Sequence, residues 1–157
     1  MNRVIQTDIN SVITPRLASA VTSVTAGGTG DNTAITGVTL DRLEFSAAPL
    51  CASLVLLSEA VLADAATMTF KTVKIQDSAD GSTFADYVTF TDPGVVSTGP
   101  SGGGTVRTAT KLAVNLSTAR RYIRAVFTPD MSASSTDTAK VIAAIVYGGH
   151  EAIPSPA

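Results

Sequence analysis

The chain has 157 residues and a mass of 16.0 kDa, which predicts one domain large enough to bury a core without metals or disulfides. Charged residues make up 15% of the chain and the formal net charge is −2, which argues against a nucleic-acid-binding protein. A membrane span needs about 18 apolar residues in a row, and no apolar run in the chain approaches that length. Residues 1–15 also lack a secretory signal. We therefore expect a soluble protein made in a cytoplasm with no membrane partner.

The first sixteen residues are predicted to form an extended N-terminal arm, because they contain apolar side chains but no neighbouring partner strand. The arm residues expected to contact another protein are Arg3, Val4, Ile5, Ile9, Val12 and Ile13. We place a β-sandwich domain at residues 17–150 and a C-terminal tail at residues 151–157.

Alternating apolar and polar residues, separated by turn-forming residues, predict about eight strands. Clear alternation covers residues 17–25, 34–45, 68–76, 82–91, 106–116, 121–128 and 139–147. The continuous apolar run Leu50–Leu57 fits either a buried strand or a helix segment, since periodicity does not separate the two. The strand count and short polar connections predict an all-β fold, an antiparallel β-sandwich of the jelly-roll type. Aromatic residues are 5% of the chain and Trp is absent, so the core must depend on Val, Ile, Leu and Ala.

The hairpin signal is strongest around Asp80-Gly81, which lies between an alternating segment ending at Gln76 and another that begins at Phe84. Gly81 allows a positive φ, and the side chains of Asp77, Ser78 and Asp80 can bond backbone groups to close the turn. Calcium is an alternative role for Asp77, Asp80 and Asp86, but the spacing is not that of an EF-hand and turn closure explains the first two.

Residues that carry enzyme chemistry are sparse. His150 is the one histidine, it follows Gly148-Gly149, and no Gly-x-Ser-x-Gly motif accompanies it. We therefore expect no enzyme activity, no metal and no cofactor, and we interpret His150 as an interface residue. Cys51, the one cysteine, lies in the apolar run and is predicted to be a small buried side chain; a reactive or intermolecular thiol is the alternative.

The chain has one basic cluster, formed by Arg120, Arg121 and Arg124. On a strand, Arg120 and Arg124 project to one face, where they are candidates for contact with an acidic protein surface. Structural pairing is favoured over such contacts: Arg121 is expected at the strand edge, and the others are expected to pair with acidic residues of the same chain, such as Asp41 or Glu44.

Three segments carry a resemblance to a known group of proteins. The hairpin sequence QDSADGSTF at residues 76–84 resembles a hairpin that recurs in small structural proteins of tailed bacteriophages and prophages. Two later segments, RRYIRAV at residues 120–126 and VYGGH at residues 146–150, fit the same pattern. The chain is most similar in kind to a capsid decoration, or cement, protein.

The resemblance implies a non-enzymatic protein on the outer surface of the virion, made in the host bacterial cytoplasm. It implies the major capsid protein as a partner, with the decoration protein bridging neighbouring capsid subunits. It also implies a homo-oligomer, with a trimer favoured, which suits the modest core expected from small side chains. A head–tail connector or tail component is one alternative. A carbohydrate-binding adhesion module is another, which the low aromatic content disfavours.

Overall fold

The computed structural model describes residue 9 and residues 12–45, 48–133 and 136–148, and these contain eleven strands and a 3-10 turn at Arg42–Glu44. The strands are β1 (Thr14–Leu17), β2 (Thr22–Thr25), β3 (Ile35–Thr36), β4 (Leu40–Asp41), β5 (Cys51–Leu62), β6 (Thr67–Ser78), β7 (Ala85–Thr89), β8 (Gly94–Thr98), β9 (Gly104–Asn115), β10 (Tyr122–Met131) and β11 (Thr138–Gly148).

The strands form two antiparallel sheets packed face to face. In sheet 1 the order is β1-β11-β5-β9, with β2 also paired to β11; in sheet 2 it is β3-β10-β6-β7, with β4 also paired to β10 and β8 to β6. Three pairs of short strands therefore each occupy a single position in a sheet: β1 with β2, β3 with β4, and β7 with β8. Eleven strands among the described residues thus occupy eight positions, in the two four-position sheets of a jelly roll, which confirms the predicted fold class.

The apolar run at Leu50–Leu57 belongs to β5, so the strand interpretation is correct and the helix alternative is wrong. The strand continues to Leu62, through a segment that carries no clear sequence pattern. Its even-numbered residues point into the sandwich and are buried, from Ala52 to Leu62. Cys51 falls on the odd, outward phase and is exposed, so its predicted burial is wrong.

The core is mostly aliphatic, as the composition predicts, with a few aromatic rings between the sheets. Phe70 and Phe127 meet edge to face with their ring centroids 5.7 Å apart. Tyr147 is fully buried beside Phe45, and burial raises the pKa of its hydroxyl above the ordinary value.

A buried arginine closes one end of the sandwich. Arg42 is 4% exposed, and its guanidinium donates to the carbonyl oxygens of Pro49 at 2.8 Å, Leu116 at 2.7 Å and Arg120 at 3.0 Å. It also donates to the carbonyl of Ala119. These bonds join the segment before β5 to the turn between β9 and β10. Burial lowers the pKa of Arg42, and the many donors of a guanidinium suit it to this cluster of carbonyls.

The sandwich begins earlier than predicted, because β1 pairs with β11 from Thr14 opposite Tyr147 to Leu17 opposite Ala144. Residues 14–16 of the predicted arm therefore belong to sheet 1. Residues 1–8 of the arm and the predicted tail at residues 151–157 lie outside the described residues. Within the described part of the chain, no helix has the length and apolar character to cross a membrane.

Candidate functional site

The β6–β7 hairpin has a closed polar tip. Asp80 Oδ1 accepts hydrogen bonds from the backbone N–H groups of Ser82 and Thr83, both at 2.8 Å, and from Ser78 Oγ at 2.8 Å. Gly81 adopts the predicted positive φ of 76°. The N–H groups of Ser82 and Thr83 hold the pKa of Asp80 well below its usual range.

The acidic residues considered for calcium have separate partners. Asp77 is buried and accepts from the Arg120 backbone N–H at 2.8 Å. Asp86 accepts from Gln76 and Lys74, which lowers its pKa. Among the described residues, no group of three or more His, Cys, Asp or Glu side chains is placed to hold a metal ion.

The three clustered arginines also have partners within the chain. Arg121 makes a bidentate contact with Asp41, with Nη2 2.7 Å from Oδ2, and this bond lowers the pKa of the carboxyl. Arg124 donates to Gln76 at 2.8 Å and stacks over Phe84 at 4.0 Å. The Arg120 side chain is exposed and lies 3.9 Å from Asp77. The arginines therefore have partners within the chain, but the predicted acidic partners are wrong: Asp41 binds Arg121, and Glu44 pairs with Arg16.

The outer face of sheet 2 is polar, and its lysines are paired with carboxylates. Lys71 contacts Asp130 at 2.6 Å and Lys74 contacts Asp86 at 2.9 Å. Arg124 lies on the same face and donates to a neutral side chain. Its charged side chains thus bond one another or a neutral neighbour, which is typical of a solvated surface.

Three rows on the outer face of sheet 1 are mainly apolar, and together we call them the apolar face. Strand register places outward side chains of β11, β5 and β9 in three adjacent rows. Each row is extended at one end by a residue of β1 or a residue next to β2. The rows are Val21, Ile142, Leu57 and Ala109; then Leu17, Ala144, Val55 and Lys111; then Pro15, Val146, Ser53 and Ala113. Leu17 is 65% exposed, Val21 63% and Leu57 38%. At strand and residue spacings of about 4.8 and 3.4 Å, three rows over four strands cover about 400 Å².

A shallow trough crosses this face beside its first row. It has a volume of about 370 Å³, and its lining includes Val21, Leu57 and Ile142 on one side. A charged row borders the other side, where Lys140 lies opposite Glu59 and Glu59 opposite Arg107. Arg107 Nε contacts Glu59 Oε2 at 2.6 Å.

The predicted interface residues are distributed over separate regions. Ile9 is 61% exposed, and the backbone N–H of Val12 donates to its carbonyl at 3.1 Å. Val12 and Ile13 are half-buried where the chain enters β1, while Arg120 and Arg124 lie on β10 or just before it. The other four, Arg3, Val4, Ile5 and His150, lie outside the described residues.

Sequence reasoning missed the apolar face of sheet 1. The available signal was the run Leu50–Leu57, because a strand that is apolar at odd and even positions is apolar on both faces. One face of β5 packs on the core, and the other is left outside.

Solved structures of low sequence identity resemble the chain. A structure of infectious bursal disease virus, Gx strain, matches with a TM-score of 0.51 and 12% identity, over 89% of this chain and 32% of that chain. The PBSX exported protein XepA matches with a TM-score of 0.43 and 14% identity, over 92% of this chain and 39% of that chain. This chain thus spans about a third of the length of the chains it matches. No protein-family model and no curated protein matches it. The likeness to the virus structure establishes a shared fold.

Proposed function

We propose that this chain is a non-enzymatic structural protein of a tailed-phage virion, a capsid decoration protein. In this role it binds the outer surface of the head and bridges neighbouring subunits of the major capsid protein. The observation that carries the proposal is the difference between the two outer faces: sheet 1 exposes a patch of apolar side chains, whereas the lysines of sheet 2 are paired with carboxylates.

The apolar face suits a protein that lies flat on another protein. Largest exposed patches of about 300–600 Å² are often functional in soluble proteins, and the face on sheet 1 falls in this range by its strand spacings. A standard interface buries about 800 Å² per partner, so this patch would form its apolar centre, with polar residues such as Lys111 and Lys140 at the margin.

Two further observations support the virion role. The hairpin that carries the phage resemblance is formed as its sequence predicts, with Gly81 at positive φ and Asp80 closing the turn. The jelly roll is a fold used by viral capsid proteins, although lectins and cupins use it as well. A closed homo-oligomer, with a trimer favoured, would add burial to the small core.

Copy number in the virion tests the proposal. Quantitative gel analysis of purified particles should give hundreds of copies of this chain per particle. About six or twelve copies would instead indicate a connector or tail ring, and absence from the particle would overturn the virion role.

The thiol of Cys51 gives a second measurement, because it is exposed at one end of the apolar face. Its reaction with a thiol reagent should be slower on the intact particle than in the free protein. Equal rates would argue against coverage of this end of the face.

A further inference from the structure

The trough on sheet 1 lies beside an interruption in the sheet, and Val21 in that interruption is one of its lining residues. β1 ends at Leu17 and β2 begins at Thr22, and both pair with the same edge of β11. Between them the chain stays bonded to β11, since the Ala143 carbonyl accepts from the Ala18 N–H at 2.8 Å and Ser19 Oγ accepts from the Ala143 N–H at 2.8 Å. The backbone there is satisfied, so side chains determine what the trough can bind.

On the charged side of the trough, one cation has no ion-pair partner among the residues that the structure describes. Glu59 is engaged by Arg107, whereas Lys140 makes no ion pair with any described residue. The row formed by Lys140, Glu59 and Arg107 therefore has a net positive charge. On sheet 2, by contrast, both Lys71 and Lys74 have carboxylate partners.

The opposite side of the trough is apolar and exposed. Val21 and Leu57 are 63% and 38% exposed, and Ile142 lies half-buried between them. A ligand that fits must therefore place an apolar group against these three side chains and an anionic group against Lys140. The trough runs across the strands, and four strands span about 14–19 Å, which equals the length of about four to six extended residues.

We propose that the trough binds an extended segment of the shell protein, in which apolar side chains alternate with a carboxylate. The assignment rests on the proposed function. Alternate side chains of an extended segment point in opposite directions, so one side would contact Val21 and Leu57 and the other would bring its carboxylate to Lys140. Attraction between this carboxylate and Lys140 would orient the segment in the trough and make the rate of association depend on salt.

The test uses shells of the parent phage assembled without this chain, with binding measured by co-sedimentation. Leu57→Lys should weaken binding at least tenfold by placing a charge in the apolar side, and Lys140→Glu should weaken it about tenfold by repelling the carboxylate. Lys71→Glu is the matched control for charge reversal, because Lys71 is an exposed lysine on the outer face of sheet 2, on the opposite side of the sandwich from the trough. It should change binding less than twofold. Raising the salt concentration should weaken the wild type more than Lys140→Glu.

Each outcome separates the inference from the proposed function. Circular dichroism must show that all three variants fold. If the wild type and both trough variants bind shells equally, the trough is not the docking site, while the decoration role stands. If the wild type does not bind and is absent from virions, the proposed function is wrong. If light scattering shows that Leu57→Lys dissociates a free oligomer, a second copy occupies the trough and the inference is overturned.

Discussion

The guanidinium of Arg42 donates to the backbone carbonyl of Leu116 across 2.7 Å, and so joins the turn before β5 to the end of β9. Arg42→Met should destabilise the fold by about 3 kcal/mol, because the carbonyls of Pro49 and Leu116 are buried and lose their donor. Urea unfolding measures the change. Arg121→Met is the control, since Arg121 binds an exposed carboxylate and its loss should matter far less. Equal losses for the two variants would contradict a special role for Arg42.

Gly81 should be intolerant of a branched side chain. Its φ of 76° lies in the left-handed region, so Gly81→Val should lower stability by about 1–2 kcal/mol. Gly81→Asn should cost less, because asparagine adopts this region more readily. An unchanged melting temperature for the valine variant would show that the turn rearranges without strain.

The lowered pKa of Asp80 should make the stability of the protein depend on pH. Its folded-state pKa lies below that of the unfolded chain, about 3.9, since three donors bond the ionised form. The stabilisation is therefore complete above the unfolded pKa and is lost as the pH falls toward the folded pKa. Urea unfolding from pH 6 to pH 2 should show the wild type losing its advantage over Asp80→Asn below about pH 4. A difference that is constant with pH would exclude this linkage.

Thr72 occupies a strained position that a substitution should relieve. It lies at a bulge in β6, where the pairing with β10 shifts register, and its φ is 51°. Thr72→Asn should raise stability by about 0.5–1 kcal/mol, because a β-branched residue is disfavoured there. Thr89→Asn, at a position outside the left-handed region, should not stabilise the protein. A loss of stability in Thr72→Asn would mean that the threonine makes contacts that outweigh the strain.

The predicted arm is testable without disturbing β1. Deletion of residues 1–8 should leave the melting temperature near that of the full chain, since the described pairing of sheet 1 starts at Thr14. We expect the deletion to weaken attachment to shells or to neighbouring protomers, measured by co-sedimentation and light scattering. Full attachment after deletion, or failure to fold, would reject the arm as an assembly device.

Local patterns predicted most of the strands and the hairpin, because alternation and turn chemistry act over a few residues. They did not reveal the bulge at Thr72, although it shifts the buried phase of β6 from Met68 and Phe70 to Val73 and Ile75. Such a shift depends on pairing with β10, a partner about fifty residues away.

The candidate site was less predictable than the fold. The sequence indicated interface residues in the arm and on β10, whereas the apolar face arises from register among β11, β5 and β9. Likewise, the role of Arg42 depends on Leu116 and Ala119, more than seventy residues away. Composition and spacing carry no signal for such distant contacts.

The placement of β11 also affects how the protein forms in the cell. This strand lies between β5 on one side and β1 and β2 on the other. These strands therefore cannot join into one sheet until residue 148 has left the ribosome. Until then β5 exposes apolar side chains on both faces, and pairing across such sequence distances is slow. A nascent chain of this design completes sheet 1 only after β11 has emerged, and β5 needs protection from aggregation until then.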